Sequence, residues 1–272
     1  LGVDTRWLIT GGGRGITAVV ALDLARRFPG GSFVLTGRTA LTHEAPLSID
    51  LDAERARIKA AMKEAGDKVT PVTIGRALKP FEAQKEIAET LAALQAAGAQ
   101  SRYVAFDVSD AASTRKALGE IGHVDVVVHG AGLEDSHFLM DKKTEVFDRV
   151  FITKVGGLIH LLDALTVNPR AVVAFTSVAG RYGNAGQVDY AAANDALSRM
   201  LAARSRAGDF QGIATDWGPW ADVGMATRGS IQTVLEASGV TMMPPELGAP
   251  MVGDLLASGL TGEVVCAGAL GA

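Results

Sequence analysis

The sequence has one cysteine among 272 residues, no long apolar run, and a net charge of only −4. Because Cys266 has no partner for an internal disulfide, we expect a reducing, cytoplasmic setting and a small core residue in the last strand. The lack of a bilayer-length apolar run and of a signal peptide predicts no contact with membranes. The mild acidity argues against nucleic acid as a partner.

What the sequence does contain is a regular alternation of short β-branched apolar runs and helical patterns, without internal repeats. This alternation predicts an α/β fold: a Rossmann-like, doubly wound parallel sheet with helices on both faces, in one catalytic domain over residues 1–272. The chain begins at Leu1 rather than Met and enters a strand at once. We therefore expect a piece of a longer polypeptide, although a processed or trimmed chain would look the same.

Two stretches interrupt the alternation. We interpret residues 39–80 as an insertion, with an exposed helix over 53–65 and a loop or short extra strand over Lys68–Lys79. A long amphipathic helix is predicted over Phe81–Ala97. Residues 221–243 hold a helical pattern with glycines near both ends, which predicts a lid over the site.

A glycine-rich turn separates the first predicted strand from an apolar-periodic helix. Glycines let the backbone approach a pyrophosphate, and the helix N-terminus offers free N–H groups. The spacing is imperfect, because Thr17 stands where a further glycine would let the helix pack closely, and the run could be a turn only. Its place at the first strand–helix junction favours a dinucleotide. The predicted contacts are Thr10, Gly11, Gly12, Gly13, Arg14, Gly15 and Ile16.

Arg38 ends the second predicted strand, where sheets that bind NAD usually carry an acidic residue for the ribose hydroxyls. A guanidinium suits a 2′-phosphate instead. We therefore predict NADPH as the cofactor. The alternative is a solvated surface arginine.

Small and polar residues follow the third and fourth predicted strands. Asp107 could accept a hydrogen bond from an adenine amino group or cap the next helix, for which Ser109 and Asp110 are better placed. After the fourth strand, glycines let the backbone pass close to a ribose, so His129 is expected to be a packed residue rather than a general base. The predicted cofactor contacts here are Asp107, Val108, Gly130, Ala131 and Gly132.

The stretch from Ser177 to Asn194 follows a buried apolar strand and leads into an alanine-rich helix. Ser177 lies at the carboxyl end of that strand, where open α/β sheets bind ligands. Tyr190 and Asn194 are four residues apart and share one helix face. A hydroxyl at a strand end that faces a tyrosine can hold a carbonyl oxygen and protonate it.

Lys154 lies within an otherwise apolar helical stretch, Thr144–Leu165. Burying an unpaired ammonium is costly, so this lysine either reaches water or has a fixed partner. All of these signals fall at one edge of the predicted sheet, which strengthens the catalytic interpretation.

Together the motifs resemble the ketoreductase domains of polyketide synthases, in the short-chain dehydrogenase/reductase superfamily. Asn194 fills the position four residues after the tyrosine where the commoner short-chain pattern has lysine, and Lys154 sits on the preceding helix, as in synthase ketoreductases. The Lys142–Glu145 stretch, the Tyr182–Gln187 run and the insertion are most similar to iterative synthases, such as those for polyunsaturated fatty acids or enediynes. The motifs that carry the resemblance are Thr10–Ile16, Gly37-Arg38, Asp107-Val108, His129–Gly132, Ser177–Gly180, Tyr190–Asn194 and Trp217–Trp220.

The resemblance implies an NADPH-dependent reduction of a β-ketoacyl thioester carried by an acyl carrier protein, within a larger synthase. It implies that Tyr190 donates the proton, Ser177 hydrogen-bonds the carbonyl oxygen, Lys154 lowers the tyrosine pKa and relays the proton, and Asn194 supports that relay. Lys154, Tyr190 and Pro219 are also expected to contact the cofactor, and no metal is expected. The alternatives are a non-catalytic NADPH-binding domain of a synthase and a free-standing reductase of small ketones.

The hand of the product is the last expectation. In the resembling family, one ketone orientation accompanies a Leu-Asp-Asp motif after the fourth strand, and the other accompanies a tryptophan before the tyrosine. Here Glu134 and Asp135 follow Leu133, and Tyr182 stands at the tryptophan position. We give Asp135 more weight than Tyr182 and predict the D (3R) product; the alternative for Asp135 is a plain loop carboxylate.

Overall fold

The computed structural model describes residues 1–224 and 231–271. Seven parallel strands form one sheet in the order β3-β2-β1-β4-β5-β6-β7, which confirms the predicted parallel fold. These strands are β1 (Arg6–Thr10), β2 (Ser32–Gly37), β3 (Gln100–Ala105), β4 (Val126–His129), β5 (Ala171–Ser177), β6 (Gln211–Trp217) and β7 (Gly262–Cys266).

Helices cover both faces of the sheet. The helices in the described ranges are α1 (Gly15–Arg27), α2 (Leu51–Glu64), α3 (Pro71–Ala96), α4 (Ala111–Ile121), α5 (Thr144–Phe151), α6 (Gly157–Ala164), α7 (Val178–Tyr182), α8 (Val188–Arg206), α9 (Ile231–Ala237) and α10 (Pro245–Ser258). Helices α1, α3 and α10 contribute to the core on one face, whereas α4, α6 and α8 contribute to the core on the other.

The central strands are apolar along their whole length because both of their faces are covered. In β1, Trp7 and Ile9 belong to the first core and Leu8 to the second, and all three are fully buried. Cys266 is also buried, as expected, and burial raises the pKa of its thiol to about 11. Within the described ranges, no helix is both long and apolar enough to cross a membrane.

The loop or short strand expected over Lys68–Lys79 is wrong, because most of this stretch belongs to α3. Thr70 caps the helix: its hydroxyl accepts from Thr73 N at 3.1 Å, and Thr73 returns a bond to Thr70 N. Pro71 occupies the first turn, where a missing N–H costs nothing. Pro80 is inside the helix but on its exposed side, where water can solvate the carbonyl that loses its donor.

Two other predicted helices have different bounds. The stretch Thr144–Leu165 forms α5 and α6 joined by a π-helical turn at Ile152–Gly156. In the predicted lid, residues 221–224 are not helical, α9 covers Ile231–Ala237, and residues 225–230 lie outside the described part. The lid therefore stays a prediction.

Candidate active site

A cleft of about 400 Å³ opens at the carboxyl ends of β1 to β4. The turn after β1 forms one wall, and α1 starts there without a side-chain cap on its first N–H groups. Gly11 has a φ of +69°, and a Cβ on it would lie 3.0 Å from the Gly130 carbonyl oxygen. The backbone of this turn therefore reaches its position only because glycine has no side chain.

The close packing missing from position 17 is supplied from the opposite side. Thr17 is buried, and a Cβ on Gly130 would overlap its side chain. Gly130 thus gives α1 the space that a glycine at position 17 provides in the usual pattern.

Most of the predicted cofactor contacts line this cleft, namely Gly11, Gly13, Arg14, Gly15, Ile16, Arg38, Asp107, Val108, Gly130, Ala131 and Gly132. Gly12 does not line it, because its Cα faces Ile9 and Leu35 in the core. Pro219 lies outside the cleft wall, and its carbonyl accepts from Met243 N. Thr10, Lys154 and Tyr190 also lie outside the wall, in the layer behind it.

The polar groups of the cleft differ in how firmly they are held. Arg38 is exposed at the end of β2, and Arg14 forms an exposed 3.5 Å ion pair with Glu86. Asp107 accepts two hydrogen bonds from Ser109, while Asp110 caps α4. The carboxylate of Asp107 is therefore not the helix cap, and it lines the cleft.

Lys154 has the fixed partner that its apolar surroundings require. Its ammonium is buried and donates to the Phe175 carbonyl at 2.7 Å. It lies in the π-helical turn, where Gly157 N bonds to the carbonyl of Ile152, five residues earlier. Burial lowers the pKa of Lys154 to about 8. A Cβ on Gly132 would lie 2.9 Å from Lys154 Cε, so this glycine gives the lysine access to the rear of the cleft.

His129 is packed, and it links three elements of the site. Its Nε2 is 2.9 Å from the Lys154 carbonyl, which can only accept, so Nε2 carries the proton. Nδ1 therefore accepts from the Thr10 hydroxyl at 2.9 Å, and that hydroxyl accepts from Ala131 N. Burial, with a smaller effect of the Lys154 charge, lowers the pKa of His129 to about 3, so the ring stays neutral.

Tyr190, Ser177 and Asn194 meet at the end of β5. Tyr190 lies on α8, with its ring centre 5.6 Å from Lys154 Nζ. Burial raises the pKa of Tyr190, the Ser177 and Asn194 side chains oppose that rise, and the Glu134 charge adds to it. Asn194 Nδ2 donates to the Tyr190 carbonyl, and its buried Oδ1 has no hydrogen-bond partner among the described residues.

The residues expected to control the product hand point in different directions. The Asp135 carboxylate binds Arg149 at 2.6 Å and His137 at 3.0 Å. Tyr182 is 64% exposed at the end of α7. Glu134, in contrast, lines the cleft and accepts from Gln187 Nε2 at 3.3 Å.

Sequence reasoning missed other residues of the cleft wall, among them Ile87, Tyr103 and Glu134. Ile87 was identifiable only as a buried helix residue, and a Cβ on Gly13 would lie 2.8 Å from its Cγ1. Tyr103 packs against Gly37, where a Cβ would lie 2.8 Å from the tyrosine hydroxyl. The close glycine partners were the signal available in the sequence, but only the fold pairs them.

The parallel sheet with its glycine turn and strand-end cleft defines the class as a short-chain dehydrogenase/reductase, which uses a nicotinamide cofactor. Residues 5–222 match the KR domain family, so the chain belongs to the ketoreductase domains.

Relatives of known description agree with this family. One of the two polyunsaturated fatty acid or polyketide synthase proteins compared, a polyunsaturated fatty acid synthase from Thraustochytrium sp., is 32% identical over 96% of this chain. The other, the polyketide synthase GfsB of Streptomyces halstedii, is 36% identical over 61% of this chain. The chain spans 10% and 3% of the lengths of these two proteins, respectively. The activities of those whole proteins are therefore not carried over to this chain.

Solved structures show the same fold. The ketoreductase domain from the bacillaene assembly line has a TM-score of 0.73 at 26% identity, over 97% of this chain and 56% of its own. PlmKR1, the ketoreductase from the first module of phoslactomycin biosynthesis in Streptomyces sp. HK803, has a TM-score of 0.74 at 26% identity, over 97% of this chain and 52% of its own. A short-chain dehydrogenase from Burkholderia cenocepacia, solved with NADP, shares the fold at 18% identity over 98% of this chain and 97% of its own, with a TM-score of 0.71.

Proposed function

We propose that this domain reduces a β-ketoacyl thioester on an acyl carrier protein to the β-hydroxyacyl thioester, with NADPH, during polyketide or fatty acid chain building. The observation that carries the proposal is the convergence of Lys154, Tyr190 and Ser177 behind the strand-end cleft. The carrier protein and the other synthase domains enter the proposal as partners because the relatives are multidomain synthases.

The cleft has the groups that NADPH requires. The uncapped N–H groups of α1 suit a pyrophosphate, and the Arg38 guanidinium at the rim suits a 2′-phosphate. Asp107 and the small residues after β4 suit the adenosine and ribose groups. When bound, NADPH supplies a hydride to the β-carbon of the substrate.

The proposed roles of the side chains follow from their surroundings. Tyr190 donates its hydroxyl proton to the ketone oxygen while Ser177 hydrogen-bonds that oxygen. The Lys154 ammonium favours the phenolate that remains, because opposite charges attract in a buried site. Asn194 Oδ1 offers a buried acceptor for the proton that replaces the one lost by Tyr190.

One assay separates this proposal from its alternatives: NADPH oxidation with a β-ketoacyl thioester, compared with a free small ketone. Preferred turnover of the thioester is the expected result. Turnover of the free ketone alone would indicate a free-standing small-ketone reductase. NADPH binding without turnover of either compound would indicate a non-catalytic domain.

A further inference from the structure

A buried ion pair joins the segment between β4 and α5 to the start of the helix that carries Tyr190. Lys142 Nζ lies 2.8 Å from Asp189 Oδ1, and the two side chains are only 2% and 1% exposed. Every other ion pair in the described ranges has at least one far more exposed side chain; the most sheltered is Arg204–Asp209, at 38% and 28%. The Lys142–Asp189 pair therefore differs from them in kind.

Both charged groups also hold backbone atoms at the site. Lys142 Nζ donates to the Asp135 carbonyl at 2.7 Å. Asp189 Oδ1 accepts from Tyr190 N at 2.9 Å. A single carboxylate oxygen thus connects the lysine to the backbone of the residue assigned as proton donor.

Two weaker contacts join the same segments. His137 N donates to the Gly186 carbonyl at 2.9 Å, and Gln187 Nε2 donates to Glu134 Oε1 at 3.3 Å. Segment 133–142 is therefore seated on residues 186–189. Because Glu134 lines the cleft, this seating sets where its carboxylate lies relative to Tyr190.

Stability alone does not account for the pair. A buried ion pair usually gains little over an apolar pair of the same shape, since both charges lose their water. Asp189 Oδ2 is buried without a hydrogen-bond partner among the described residues, which adds to that cost. What the pair supplies is a fixed geometry between two segments.

We propose that the Lys142–Asp189 ion pair is a clamp that fixes segment 133–142 against the first turn of α8, and thereby the orientation of the ketone toward the Tyr190 hydroxyl. The inference rests on the proposed function. Lys142 and Asp189 do not line the cleft, so both are positioning residues that act through the Asp135 carbonyl and the Tyr190 backbone.

The test uses Lys142→Met, Asp189→Asn and the double variant, with Lys143→Met as the matched control because Lys143 is an exposed neighbour. NADPH-dependent reduction of a β-ketoacyl thioester is measured together with the ratio of D to L product and the dissociation constant of NADPH. The double variant guards against loss of folding, because it leaves no unpaired buried charge.

For each variant that breaks the clamp, we expect kcat to fall on the order of 10²-fold, as small misplacements of reacting groups do. The D to L ratio should move toward equality, while NADPH binding and the control variant stay as in the wild type. A purely structural role would not change the product ratio of the folded fraction.

Three results overturn the clamp. One is a folded double variant with the wild-type kcat and product ratio, and another is a loss of kcat that only follows a loss of folded protein. A wild-type chain that reduces no thioester overturns the proposed function and the clamp together. An active wild type with an unaltered Lys142→Met overturns the clamp alone.

Discussion

The Lys154 ammonium lies 5.6 Å from the centre of the Tyr190 ring, and the Phe175 carbonyl holds it there. Burial acts on the two groups in opposite directions, because it lowers the pKa of Lys154 to about 8 and raises the pKa of Tyr190. Close to neutral pH, the lysine therefore keeps its charge and the tyrosine keeps its proton. This is the combination that a proton donor to a ketone needs.

We expect Tyr190→Phe to lose turnover by about 10²–10⁴-fold, the usual scale for one acid–base group. The ring and its packing remain in this variant, and only the hydroxyl is lost. NADPH oxidation with a β-ketoacyl thioester measures the loss, and titration of NADPH fluorescence checks that the cofactor still binds. Turnover close to that of the wild type would show that another group donates the proton.

We expect Arg38→Ala to weaken NADPH by on the order of 1–3 kcal/mol and NADH much less, because only NADPH carries the 2′-phosphate. Dissociation constants for both cofactors measure the difference. Arg102→Ala removes another exposed arginine, one outside the cofactor cleft, and serves as the control. An equal loss for both cofactors would mean that Arg38 does not meet the phosphate.

Much of the fold and the site was predictable because the signals are local. Arg38 and Ser177 each end a strand, and the order of a parallel sheet brings such ends to one edge. The contact of Thr17 with Gly130 was not predictable, because it joins α1 to the end of β4 and neither segment encodes the other's position. Helix α3 starts at Pro71 rather than Phe81 because burial of apolar side chains outweighs the helix-breaking tendency of Pro80.

The buried carboxyl of Asp216 makes stability depend on pH. Burial raises its pKa from 3.8 to about 7, Glu263 adds to the rise, and Thr176 Oγ1 opposes it by donating to Oδ1 at 2.6 Å. The folded protein thus resists an ionisation that the unfolded chain accepts. The free energy of unfolding should therefore fall as the pH rises from about 4 to about 7.

Asp216→Asn should remove that fall and raise the free energy of unfolding at pH 8 by on the order of 1–3 kcal/mol. Urea denaturation at pH 5 and at pH 8 measures the effect. Asp195→Asn, which neutralises an exposed partner of Arg199, is the control and should change the slope little. The same pH dependence in Asp216→Asn and the wild type would assign the effect to other groups.

The product hand is expected to be D (3R), and the structure indicates which acid of the Glu134–Asp135 pair governs it. Arg149 and His137 hold the Asp135 carboxylate, whereas Glu134 lines the cleft and its charge raises the pKa of Tyr190. Glu134→Gln should therefore shift the D to L ratio more than Asp135→Asn. Because about 1.4 kcal/mol corresponds to tenfold selectivity, loss of one polar contact is enough to be visible. Chiral chromatography of the product from a short β-ketoacyl thioester measures the ratio. Mostly L product from the wild type would contradict the predicted hand, and a larger shift from Asp135→Asn would return the control to Asp135.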